Sequence, residues 1–194
     1  GAEPRLEGGP LIFIGIPTHS GSVDMNVVTA ATTATVAAIT VRLPMIQRVK
    51  CQSLLAHCFN ELWCEALNLR KKYDVTHFLM LHADVGPMTG DWVQTMLQEM
   101  TQAKVDLLSA VVPIKNGTGE TSTALDLSGE HGRHRWAHRR LTMREVMRLP
   151  PTFTAKDAYD LCLPGWPHKK ALLINTGLLL VDFRKPWVER FCFT

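Results

Sequence analysis

Residues 76–87 read THFLMLHADVGP, and this stretch decides the fold. Its first half, Thr76–Leu81, is a continuous apolar run of strand length. A run without polar alternation reads as a strand buried on both faces, as in the middle of a sheet covered by helices on both sides. The second half turns polar and places His82 and Asp84 two residues apart. In open α/β sheets, ligands bind outside the carboxyl ends of the strands. Extended residues two apart project to the same side. An imidazole and a carboxylate so placed suit a divalent cation such as Mn2+, which would neutralise a diphosphate. The alternative is that Asp84 caps the following turn and His82 is an ordinary loop residue.

Working outward, Leu11–Ile16 (LIFIGI) is a second buried strand, closed by Pro17 and followed by the loop PTHSGSVD. Met25–Ile39 has the length of a helix, although its Thr and Val weaken the propensity. Thr40–Leu43 reads as a short strand. Ser53–Tyr73 is the clearest helix, because Leu55, Cys58, Phe59, Leu62, Ala66 and Leu69 recur at three- and four-residue steps. Arg70, Lys71 and Lys72 crowd its C-terminal end, where the helix dipole favours cations. Asp91–Lys104 reads as a helix and Leu107–Val112 as a strand. This alternation predicts an α/β fold with a mostly parallel central sheet flanked by helices. The second half is less regular. Asn116–Gly132 reads as a Gly/Ser/Thr loop, Arg133–Arg148 is strongly basic, and Leu149–Pro167 is broken by four prolines. Leu172–Val181 reads as two short strands, or one with a bulge, joining the sheet late.

With 194 residues, 46% hydrophobic and 20% charged, the chain has material for one domain with a core. That excludes a disordered tail or a fibre. A net charge of +3 is too mild to imply a polyanionic partner. No apolar run approaches the roughly 18–20 residues of a membrane-spanning helix. Gly1–Pro10 reads as a frayed terminus or an expression remnant, which leaves residues 11–194 as a single domain. Five cysteines without a CxxC pair argue against a disulfide scaffold or zinc site and for a reducing, cytoplasmic compartment. Three of the five are expected on one helix as small buried hydrophobes.

Four segments in order resemble the small GT-A glycosyltransferases: FIGIPTHSGSVD, SLLAHCFNELWCEAL, FLMLHADVGP, and the pair LLSAVVPIK and LLINTGLLLVDFRKPW. They span most of residues 11–187. The resemblance implies a single Rossmann-like GT-A domain that moves a sugar from a nucleotide-diphosphate sugar, a UDP-sugar above all, to an acceptor. It implies Asp84 as the last aspartate of a metal-binding DxD motif, with His82 in place of the first. Pro17, Thr18 and His19 would line the nucleotide pocket, with Asp24 nearby, and Asn60 would face the donor. Lys115 would approach a phosphate or the sugar. Asn175, Thr176 and Gly177 would form the floor of the sugar pocket.

The departures shape the expectation. His82 removes a negative charge, which favours Mn2+ over Mg2+, since Mg2+ prefers oxygen ligands. Phe59 stands where the family carries Arg. Such domains usually continue into acceptor-side helices, so the resemblance implies a compact or C-terminally truncated version. Inversion would need a carboxylate base, for which Asp126, Asp157 and Asp160 are the weak candidates. The basic Arg133–Arg148 segment, with Trp136 interleaved, would suit a phosphorylated polymer or nucleic acid as acceptor; the alternative is a solvated surface. His131, His134 and His138 lack acidic or Cys companions and make a poor metal site. Two other function classes stay open: a non-catalytic nucleotide-sugar-binding module, and a nucleotidyltransferase. The second would want Lys or Arg in the loop PTHSGSVD, which has none.

Overall fold

The computed structural model describes residues 9–128, 137–168 and 170–194. The expected frayed terminus lies outside these, except for its last two residues. So do His131, Arg133, His134, Arg135 and Trp136. Strands and helices alternate as expected: β1 Ile12–Thr18, α1 Met25–Thr40, β2 Met45–Cys51, α2 Leu55–Tyr73, β3 His77–Leu81, α3 Trp92–Ala103 and β4 Leu107–Ser109. Then come β5 Glu120–Asp126, β6 His138–Thr142, α4 Met143–Val146, α5 Ala155–Cys162, β7 Leu172–Leu173 and β8 Leu178–Asp182. The chain is mixed α/β and divides into two compact units, Gly1–Leu108 with Thr176–Thr194, and Ser109–Asn175.

The first unit is built on a five-stranded sheet in the order β2-β1-β3-β8-β4. Parallel pairing holds for β2-β1-β3, with Ile14 beside both Gln47 and Leu79. It fails for β8, which runs antiparallel to β3 with Leu81 opposite Leu178. The late apolar stretch was expected to join a mostly parallel sheet. It is instead two strands in two sheets, and β8 starts beside the end of β3 and runs back along it. β3 is fully buried, with β1 on one side and β8 on the other.

One face of this sheet carries Phe13, Phe78, Met80, Leu179 and Val181, which pack with Leu62, Trp63 and Ala66 of α2. A Cβ on Gly15 would lie 3.1 Å from a Leu62 methyl, so α2 sits close to β1. Gln47 marks the other face by bonding Thr35 of α1 at 2.7 Å. There α1 buries Val27, Ala30, Ala34 and Ala38, and α3 buries Trp92, Val93, Met96 and Met100. The Trp92 indole donates to Ala30 O. α2 ends at Asp74, whose left-handed backbone (φ 61°) lets its N–H bond Arg70 O.

Five local expectations are corrected. Residues 40–43 finish α1 and turn, and β2 follows Pro44 instead. β4 stops at Ser109, short of the expected Val112. The expected 116–132 loop contains β5. The basic segment contains β6 and α4, and the proline-rich stretch contains α5. In the second unit β6-β5-β7 form an antiparallel sheet. One face of it, with Leu125 and Leu141, packs on Ala158 and Tyr159 of α5. The cysteine expectation also changes. Only Cys58 and Cys64 lie on α2, and Cys58 is buried while Cys51, Cys64 and Cys192 are exposed. Among the described residues no helix is long and apolar enough to cross a membrane.

Candidate functional site

Three segments far apart in sequence meet at the carboxyl ends of β1 and β3 and the start of β8. Thr18 closes β1, and its hydroxyl donates to Ser22 O at 2.8 Å, folding the loop back through Gly21 at φ 79°. The loop is held to the end of β2, where Gln52 N donates to Thr18 O. Its far end is held to the loop after β3, where Asp24 N donates to Ala83 O at 2.8 Å. Gly86 then lies against α1. A Cβ there would be 2.8 Å from Asn26 Cβ, so only glycine permits this approach without a shift. From the other side, His82 N donates to Gly177 O at 2.8 Å.

Asp84 and Asp24 are both exposed in this cluster, and Asp24 is the N-cap residue of α1 without a side-chain cap bond. His82 is half-buried. Its ring lies 5.1 Å from that of Phe59, and its Nε2 is 3.4 Å from Thr176 Oγ1. Burial pushes its pKa down, against the opposing pull of the Asp84 carboxylate. The imidazole is therefore neutral at neutral pH, the form that ligates metals or accepts a hydrogen bond. His82 and Phe59 pack ring against ring at this place.

The other expected residues are placed as follows. Pro17 and Thr18 are buried strand residues, since β1 runs two residues beyond its expected end. His19 is exposed just after it. Asn60 follows Phe59 on α2, but its amide is occupied. Nδ2 donates to Phe193 O at 2.9 Å, and Oδ1 accepts from Phe193 N at 2.8 Å. That clamps the chain's last residues onto α2. Lys115 and Asn175 belong to the second unit.

Asp126, Asp157 and Asp160 also belong to the second unit, and each has a local occupation. Asp126 accepts from Ser128, which lowers its pKa. Asp157 completes the capping box of α5 with Thr154, and that bond lowers its pKa. Asp160 sits between Lys156 and Lys170, which bring it down to about 2. A carboxylate so acidic is a weak general base. Among the described residues no group of three His, Cys, Asp or Glu is arranged to hold a metal ion. A cation held there by Asp84 and His82, the expected ligands, would thus lack a third such side chain among the described residues. Ligation through Nε2 of His82 would displace its contact with Thr176.

Sequence reading missed the face of the second sheet turned away from α5, where Ser122, Ala124, Asp126, His138 and Arg140 line a hollow of about 410 Å3. The alternation in ETSTALD was the available signal, masked by its Thr and Ser content.

No protein-family model matches this chain. No curated protein matches it either. Among solved structures it is similar to one described as "Crystal Structure of A197 from STIV", at 11% identity and a TM-score of 0.44, over 94% of this chain and 68% of that one. A likeness at that level identifies neither a family nor an activity.

Proposed function

We propose that the first unit binds a nucleotide-diphosphate sugar, a UDP-sugar above all, beside Asp84, and that the protein is a glycosyltransferase of the GT-A kind. The observation that carries this reading is the meeting of the β1–α1 loop with the loop after β3, through Asp24 N and Ala83 O. Adjacent parallel strands put both loops at the sheet's ligand-binding edge, with the N-terminus of α1 between them. The residues fit a divalent cation in one mode: a single carboxylate, with the donor's own phosphate oxygens and water completing the shell. Bound there, a cation such as Mn2+ would neutralise the diphosphate and stabilise it as a leaving group. Asp84 supplies the anion that holds it, and the neutral His82 ring sits beside it without adding repulsion to the cation. Thr176 and Gly177 border the same place through their contacts with His82.

Calorimetric titration of UDP in the presence of Mn2+ tests the reading. Asp84→Ala should abolish Mn2+-dependent binding with the fold intact. Equal affinity in parent and variant would reject it. A second reading, binding without turnover, is favoured by the packing of His82 on Phe59 and Thr176, which engages the ring that stands in for an acidic ligand. Mn2+-dependent hydrolysis of a UDP-sugar separates the two, since a binding module would retain the titration and show no hydrolysis.

A further inference from the structure

The second sheet has one face on α5; on the other, among the described residues, His138 and Leu173 are exposed, Ser122, Asp126 and Arg140 are half-buried, and Ala124 is 3% exposed. In its register Ala124 stands between Arg140 of β6 and Leu173 of β7, and Asp126 stands opposite His138. Directly opposed residues share a face. An alanine between an arginine and a leucine makes a hollow, and the cavity of about 410 Å3 lies over it. That volume suits one small molecule, and a second hollow of about 440 Å3 adjoins it through His138 and Arg140.

The lining has two chemical ends. At one end stands the Arg140 guanidinium, which has five donors and gives one of them to Thr121 O. Its planar fork matches phosphate oxygens, and His138 lies two residues along the same strand. At the other end is Asp126. Its carboxylate accepts from Ser128 N at 2.9 Å and from the Ser128 side chain, and a carboxylate, with about four lone-pair sites, has capacity for a further hydroxyl donor. The Ser122 hydroxyl donates to Val112 O and keeps its lone pairs as acceptors. Leu173 offers an aliphatic wall and is 42% exposed. The unit as a whole carries ten Lys and Arg against six Asp and Glu, so its field draws anions.

We propose that this face binds a small sugar phosphate, with the phosphate on Arg140 and sugar hydroxyls on Asp126. A bare anion fits less well, because Asp126 repels it and the hydroxyl acceptors go unused. A neutral sugar leaves the arginine unmatched. The proposal stands apart from the donor site at Asp84, which lies on other residues and is tested with other probes.

The experiment uses the full chain and a set of hexose and pentose phosphates, with the parent sugars and inorganic phosphate as controls. Binding is followed by calorimetry and by backbone amide shifts. At least one sugar phosphate should bind about tenfold or more tightly than its sugar or inorganic phosphate. Shifts should centre on residues 122–126 and 138–140. Arg140→Gln should weaken binding about tenfold. Asp126→Asn should weaken the sugar phosphate while leaving inorganic phosphate unchanged or improved. Ala124→Leu fills the hollow and should abolish binding without changing charge. Amide spectra of the variants report whether the fold is retained. The proposal is overturned if no sugar phosphate binds up to about 10 mM. It is equally overturned if inorganic phosphate binds as well, if shifts confine themselves to the first unit, or if folded Arg140→Gln binds like the parent.

Discussion

Acidification should destabilise this protein through one buried imidazole. His77 opens β3, is 7% exposed, and stands opposite Asp182 of β8. Its Nδ1 lies 2.9 Å from Thr76 Oγ1. Burial, with the Arg184 guanidinium adding and Asp182 opposing, brings its pKa from 6.5 to about 4. In the unfolded chain it returns to roughly 6.5. Between those values the unfolded state binds more protons than the folded state, so stability falls as pH drops through the window. At about 1.36 kcal/mol per unit, the loss between pH 7 and pH 4.5 from this side chain is about 2.5 kcal/mol. Asp182 acts elsewhere on the scale. Burial pushes its carboxyl up, but the Arg184 hydrogen bonds outweigh this and hold it below its ordinary 3.8, so it stays ionised throughout. The contribution of His82, also lowered by burial, is common to parent and variant and cancels in their difference. The assay is urea unfolding of the parent and His77→Gln at pH 7 and pH 4.5. The parent should lose about 2.5 kcal/mol more than the variant. Parallel pH profiles would refute the assignment.

Other perturbations test the remaining structure. Gly86→Ala puts a Cβ against Asn26, so the loop must shift by a few tenths of an ångström to about 1 Å; we expect roughly 1–3 kcal/mol of destabilisation and weaker Mn2+–UDP binding, read by thermal melts and calorimetry. Unchanged values for both would show that the loop does not depend on this approach. Trp63 is 2% exposed, is ringed by Phe78, Phe183, Phe191 and Phe193, and donates to Val188 O. Trp63→Ala should cost about 3–5 kcal/mol in denaturant titration. Asn60→Ala removes both bonds to Phe193 and should cost about 1–3 kcal/mol. The Phe193 amide should then exchange with solvent much faster, and unchanged protection would count against the clamp. His82→Asp restores an oxygen ligand and a charge, so nucleotide titrations should shift toward Mg2+. An unaltered metal preference would argue that His82 takes no part.

The sequence alone determined the elements whose burial is complete on both sides. Leu11–Ile16 and Thr76–Leu81 read as central strands because a strand covered by helices wants apolar residues at nearly every position, and such a run is visible without knowing its neighbours; that β1 continues through Pro17 and Thr18 was not legible. α2 was equally legible from its stripe, and His82-Ala83-Asp84 followed as the loop at the end of β3. Half-exposed elements were not legible, because their identity comes from a partner. β2, MIQRVKC, lies at the sheet edge, where solvent tolerates Gln, Arg and Lys. β5 buries Thr121, Thr123, Ala124 and Leu125, and its Thr content disguises it as a loop. β6 carries two arginines within a strand of five residues. Tertiary structure alone decided that β8 runs against β3 and that Asn60 turns to Phe193. It also brought His82 against Phe59 and placed Arg140, Ala124 and Leu173 across one face. Each of these depends on which distant backbone lies alongside, and strand register and direction are set by pairing across many residues, not by the local side-chain pattern.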